Sequence, residues 1–228
     1  MNINTNRKRE YIQITSHILE TEGPEGIKIR RIAEAAGCTS AVLYKHFQNL
    51  DHLVMLASVK FLEPYITKFR EVTRRKDISS VQMDLILWRF FIREAFSKKP
   101  YYEMMFFGSR QEQLEDYVYE YYQLFPEEVK AFDGFGASII FSNNLREREY
   151  IRLRRAANAG ALTMDDADLL SRLCHGQSFK GMFVEYPYEP GKSDHLEAAA
   201  EECYQLILEL FKKICKAGND FGCRIDTG

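Results

Sequence analysis

Ser40, Ala41, Tyr44 and Lys45 fall within little more than one helical turn, and their types suit contact with a negatively charged, hydrogen-bonding surface. Small residues at 40 and 41 let a backbone approach a groove floor, Lys45 supplies positive charge, and Tyr44 offers a ring and a phenolic hydroxyl. Leu43 and Phe47, four residues apart, make the stripe that this short helix would bury. Thr39 is its N-cap residue. Upstream, Ile32, Ala33 and Ala36 fall at helical spacing and predict a first short helix. Gly37 then ends it, because glycine enters the left-handed C′ conformation without steric cost. Two short helices hinged at one glycine form a helix-turn-helix pattern, which either lies on DNA or serves as an ordinary packing unit of an all-α protein.

The elements around this pattern carry a resemblance. Residues 9–53 combine a first helix ending near Gly23, the pair Ile32 and Ala33, the turn at Gly37, the run Leu43, Tyr44, His46 and Phe47, and a closing Leu53. In order and spacing this resembles the DNA-binding domain of TetR-type transcriptional regulators. The resemblance implies that Lys28 and His46 hold phosphates, that Arg30 makes a bidentate contact to guanine, and that Thr39, Ser40, Ala41, Tyr44 and Lys45 face base edges and backbone. Val42 meets a thymine methyl or simply packs. Two positions depart from the family pattern. Lys28 stands where Thr or Ser is usual, and Leu50 stands where a lysine commonly opens the fourth helix. Asn49 remains a good cap for that helix and could present backbone N–H groups to a phosphate instead.

Composition agrees with a two-part, all-α chain: an N-terminal three-helix helix-turn-helix domain (1–50), a linker helix (50–69), and a larger ligand-binding and dimerisation domain (70–228). The formal charge is −2, but residues 1–50 hold seven Lys and Arg against five Glu, a local excess of +2 that leaves −4 for the rest. A nucleic-acid contact confined to one module fits that distribution. The polar N-terminus shows no targeting segment and no run approaches the length of a membrane span, so a cytoplasmic protein without membrane contact is expected. Five cysteines, at 38, 174, 203, 215 and 223, show no CxxC spacing and read as reduced thiols.

Beyond residue 50 helices predominate. Pro64 is expected to kink or end the linker helix, and Pro100 to end a helix over 79–97. Residues 133–136, with two glycines, read as a loop before a helix running to about residue 159. The alternating charges of 146–155 read as a solvated face. Residues 165–185 and 194–216 form the last two helical patterns. In the second, Leu196, Ala199, Cys203, Ile207, Leu210, Phe211 and Ile214 make an apolar stripe too wide for one neighbour, a feature of intrachain core or of a subunit interface. The resemblance implies the interface, a four-helix bundle between two copies. It also implies an effector cavity among helices that carry Trp88, Phe91, Tyr101, Tyr102, Met105, Phe106, Tyr117, Tyr121, His175 and Phe179. That composition fits an apolar or aromatic small molecule.

Catalytic and cofactor patterns are missing. Tyr186 occupies the first glycine position of a phosphate-binding loop ending at Gly191, Lys192 and Ser193. Gly134 and Gly136 lack a third glycine and a preceding strand, and the five histidines have no zinc-binding spacing. No cofactor, metal or catalytic residue is expected. The partners expected are operator DNA, a small effector and a second copy of the chain, for a repressor that the effector releases. The alternatives are an all-helical carrier or enzyme with an idle DNA-binding front end, and a DNA-binding protein without an effector.

Overall fold

The computed structural model describes residues 3–128, 134–142, 145–187 and 193–216, and every regular element among them is helical. Four helices open the chain: α1 (Ile3–Glu22), α2 (Ile29–Ala35), α3 (Ser40–Leu43) and α4 (Leu50–Ser58). Tyr11, Ile12, Leu19, Ile32, Leu43 and Phe47 form their buried centre. Within it the Ser16 hydroxyl donates to the Ala57 carbonyl at 2.9 Å, pinning α1 to α4.

After α4 the chain departs from the single linker helix expected over 50–69. α4 gives way to a 3-10 turn (Val59–Leu62), and Pro64 sits in the first turn of α5 (Glu63–Thr73) rather than ending a helix. Pro100 behaves alike: α6 (Ser80–Ser97) starts from a Ser79–Gln82 capping box and stops at Lys98, and Pro100 then lies in the first turn of α7 (Lys99–Phe107). Proline lacks an N–H that a first turn does not use, so it opens helices as readily as it closes them. α8 (Leu114–Leu124), α9 (Gly134–Ile140) and α10 (Leu145–Asn158) follow. Gly134 and Gly136, expected in a loop, belong to α9, where Phe135 stacks on Phe69 at 6.2 Å. α11 (Met164–Arg172) runs through a π-helical stretch (Leu173–Lys180) into α12 (Gly181–Glu185), and α13 (Ser193–Ile214) ends the described chain. Asp133, Gly191, Lys192 and Cys223 lie outside the described residues.

α6 is the axis of the body, packing on α5, α7, α10 and α13. One expectation is corrected along it. Residues 146–155 are not a solvated face throughout: Arg148, Glu149 and Arg152 are buried, because their partners are Asp84 and Trp88 on α6, Tyr65 on α5 and the carbonyls of Ile140 and Ser142. Leu196, Ala199, Cys203, Ile207 and Phe211 are buried within the single chain, on the helix that packs against α6. Leu210 and Ile214 stay half-buried, and Leu206, which the stripe omitted, is exposed.

Candidate nucleic-acid interface and its attachment to the body

The turn between α2 and α3 is held by backbone geometry. Gly37 has φ +60°, its N–H donates to the Glu34 carbonyl at 3.0 Å, and the Cys38 N–H donates to the Ala33 carbonyl at 2.9 Å. This pair of bonds closes α2 and requires the left-handed residue that only glycine supplies cheaply. Thr39 then holds the N-cap position of α3 in extended conformation, yet its side chain makes no capping bond, unlike Asn49, whose Oδ1 accepts from the His52 N–H at 2.8 Å.

With Leu43 and Phe47 fixed inside, the other side of the turn faces out. Ala41, Tyr44 and Lys45 are exposed, Tyr44 by 51 % despite being aromatic, and Ser40 is half-buried beside them. Val42 packs partly against the core. Lys28 and Arg30 are exposed at the start of α2, and among the described residues neither they nor Lys45 hold an ion pair, whereas Arg31 is committed to Glu22 at 2.6 Å. The turn thus exposes cations that hold no ion pair among the described residues. His46 differs from them: it is half-buried edge-on to Tyr11 at 5.3 Å, and burial together with Lys8, Arg7 and Lys45 holds its imidazole pKa below the usual value. At neutral pH it offers a phosphate an N–H donor in place of a full charge.

Sequence reasoning missed how this unit is fastened. Glu120 on α8 receives His52 of α4 at 2.9 Å and Lys8 of α1, and Arg9 reaches Glu127. The Tyr101 hydroxyl donates to the Leu19 carbonyl, and Arg110 meets Asp51 at 3.3 Å. No local signal marks these pairs, since Lys8 and Glu120 stand 112 residues apart. The His52 contact, burial notwithstanding, and Lys8 hold the Glu120 carboxyl down to about 2 from an ordinary 4.5. A depressed carboxyl stabilises the fold above its unfolded pKa and loses that contribution as pH falls through the folded one. The expected result is that the stability difference between the wild type and Glu120→Gln is constant above pH ~5 and closes between pH ~4.5 and ~2, as read by acid titration of circular dichroism.

The residues expected at an effector cavity lie in the body as a ring cluster. Phe91 contacts Trp88 at 6.0 Å, Tyr102 at 5.6 Å, Phe106 at 5.9 Å and Phe179 at 5.2 Å, with Met105 buried on the same helix as Tyr102 and Phe106. Tyr117 and Tyr121 stand apart on α8, bonded to Gln113 and Glu128. Beside the rings, Asp84 Oδ2, Glu149 Oε2 and His175 Nδ1 are buried without a hydrogen-bond partner among the described residues. Burial raises the Glu149 carboxyl well above its usual range and, with Lys180 and Arg146, lowers His175 to about 4. Of the four described cysteines, Cys174, Cys203 and Cys215 are buried; none is bridged, and burial pushes Cys203 up to about 12 and Cys215 up to about 11. No described helix is long and apolar enough to cross a membrane, and no cluster of three metal-ligating side chains occurs among the described residues.

Residues 15–55, which span this helix-turn-helix, match the family model of bacterial regulatory proteins, tetR family. Over this segment the chain is similar to the tetR family. The TetR-like fold extends over the body: a protein assigned to the TetR-family regulators from Mesorhizobium loti MAFF303099 aligns at 15 % identity over 92 % of this chain and 98 % of its own, with a TM-score of 0.54. The fatty acid degradation regulator FadR from Bacillus halodurans aligns at 13 % identity over 91 % and 95 %, with a TM-score of 0.52. A search of curated proteins found no match.

Proposed function

We propose that the protein is a homodimeric, effector-responsive transcriptional repressor whose α2–α3 unit reads operator DNA. The observation that carries this reading is the outward surface of the tetR-type turn: Lys28, Arg30, Tyr44 and Lys45 are exposed and uncommitted around small residues at 40 and 41. Arg30 reads guanine, Lys28, His46 and the capped end at Asn49 hold phosphates, and Thr39, Ser40, Ala41, Tyr44 and Lys45 line the groove. A helix as short as α3 covers few base pairs, so two copies with recognition helices ~34–36 Å apart are needed to read successive major grooves. The row Leu206, Leu210 and Ile214 on α13, not fully covered by the chain itself, is the apolar seam for the second copy.

The effector is a small apolar or aromatic molecule that enters the ring cluster around Phe91, with Trp88, Tyr102, Met105, Phe106 and Phe179 as apolar contacts and His175, Tyr117 and Tyr121 as polar ones. The unpartnered atoms of Glu149 and His175 support polar anchoring there. α4 packs on both α1 and α8, so a shift of the body moves the recognition unit. Effector and operator then weaken each other by the same factor. The reading is tested by titrating operator DNA over a salt series. Log affinity is expected to fall linearly with log salt, and Lys45→Ala to lower that slope by about one. A salt-independent affinity, or an unchanged slope for the variant, would contradict the reading.

A further inference from the structure

The junction between the helix-turn-helix domain and the body lies apart from the ring cluster. A cavity of about 370 Å³ opens there, walled by Leu19, Ile27, Leu50, Val54, Met55 and Met104, with Asp51, Ser109 and Arg110 among its polar lining residues. Leu50, half-buried at the start of α4, is one of the apolar side chains of this wall. Any Cβ at Gly108 would come within 2.4 Å of the Met104 carbonyl oxygen, so the glycine lets the loop close tightly over the end of α7 and fixes the wall that carries Arg110.

The charges at this cavity are unequal. Arg110 is the more enclosed, its side chain 31 % exposed against 69 % for Asp51. Its guanidinium also interacts with the Tyr117 hydroxyl, and its bonds to Asp51 and Gln113 are long, 3.3 Å and 3.5 Å. Both lie at the far edge of hydrogen-bonding distance, whereas a well-placed carboxylate binds guanidinium at ~2.7–2.9 Å through two parallel bonds. The more enclosed charge of the wall is therefore a weakly held cation, and most of the rest of the lining is apolar.

We propose that this junction binds a small amphipathic carboxylate, its tail among Leu50, Val54 and Met104 and its head on Arg110 in place of Asp51. Exchange of Asp51 for the ligand head removes one of the ties between α4 and the body. The tail, wedged under α4, alters how the tetR-type domain sits, so binding lowers operator affinity; this last consequence rests on the DNA-binding reading above, whereas the site does not.

The test uses the full-length chain and thermal melting with hexanoate, octanoate, decanoate and 4-phenylbutyrate, alongside octanol and octylamine. A ligand that binds only the folded state raises the melting temperature with its concentration. The carboxylates are expected to stabilise the wild type, Arg110→Gln to weaken the octanoate affinity at least about tenfold, and Met104→Trp, which fills the cavity, to abolish the shift. Arg110→Gln keeps the test open should Met104→Trp fail to fold. Three results would overturn the proposal: no shift with any carboxylate, equal shifts in wild type and Arg110→Gln, or octanol and octylamine matching octanoate. A carboxylate shift that Arg110→Gln weakens, in a chain that binds no duplex, would support the site while sinking the DNA-binding reading, so the two failures are told apart.

Discussion

Arg152→Met is expected to destabilise the protein by about 3–5 kcal/mol at pH 8, measured by chemical denaturation, because it strips the counter-charge from a buried carboxylate. Arg152 lies 68 residues from Asp84 in sequence, and its Nε donates to Asp84 Oδ1 at 2.9 Å while its Nη1 donates to the Tyr65 hydroxyl at 3.1 Å. Asp84 is fully buried, and desolvation pushes its carboxyl up to about 6 even against the pull of Arg152. A carboxyl raised in the folded state favours the fold below its unfolded pKa and loses that advantage as pH rises through the folded value. In the wild type that loss ends near pH ~6; without Arg152 the carboxyl rises further and the loss continues toward neutral pH. The deficit of Arg152→Met should therefore shrink from pH 8 to pH 5. Adding Asp84→Asn removes the stranded charge and should recover the greater part of it. A deficit below about 1 kcal/mol at pH 8, or a double variant no better than the single, would show that the pair is not the anchor of α10 on α6.

Ala41→Glu is expected to cut operator affinity more than about a hundredfold while leaving thermal stability within about 0.5 kcal/mol of wild type. Ala41 is exposed on α3, so the fold gains no clash from the longer side chain. The new carboxylate would instead face the phosphates and base edges that the surface around Tyr44 and Lys45 is proposed to meet, where like charge costs several kcal/mol. Thr67→Glu, an exposed change on α5, adds the same charge to the body and should leave affinity within about threefold. Equal losses from both variants would assign the effect to net charge rather than to the α3 surface.

The helix-turn-helix was legible because its determinants are local. Ile32 and Ala33, the turn at Gly37, and Leu43 with Phe47 lie within a few residues of one another, and each is set by helical periodicity or by the cost of a positive φ. The body was legible as helices but not as partners. Arg148, Glu149 and Arg152 read as a charged surface because the groups that justify burying them, Trp88, Asp84 and Tyr65, stand 61 to 87 residues away. The α13 stripe was visible as apolar, yet burial against α6 and burial against a second copy demand the same side chains. Pro64, expected to kink or end its helix, and Pro100, expected to end one, both open the next, because a proline marks a helix boundary without saying which helix it belongs to.

Selection from a random pool of duplexes, followed by affinity measurement on the enriched sequence, tests most directly whether the α3 surface reads DNA. The predicted result is an inverted repeat with half-site centres about one turn of B-form apart, ~34–36 Å, bound tightly by wild type and lost in Ala41→Glu. Retained duplexes sharing no sequence, or an enriched site held equally well by Ala41→Glu, would contradict it.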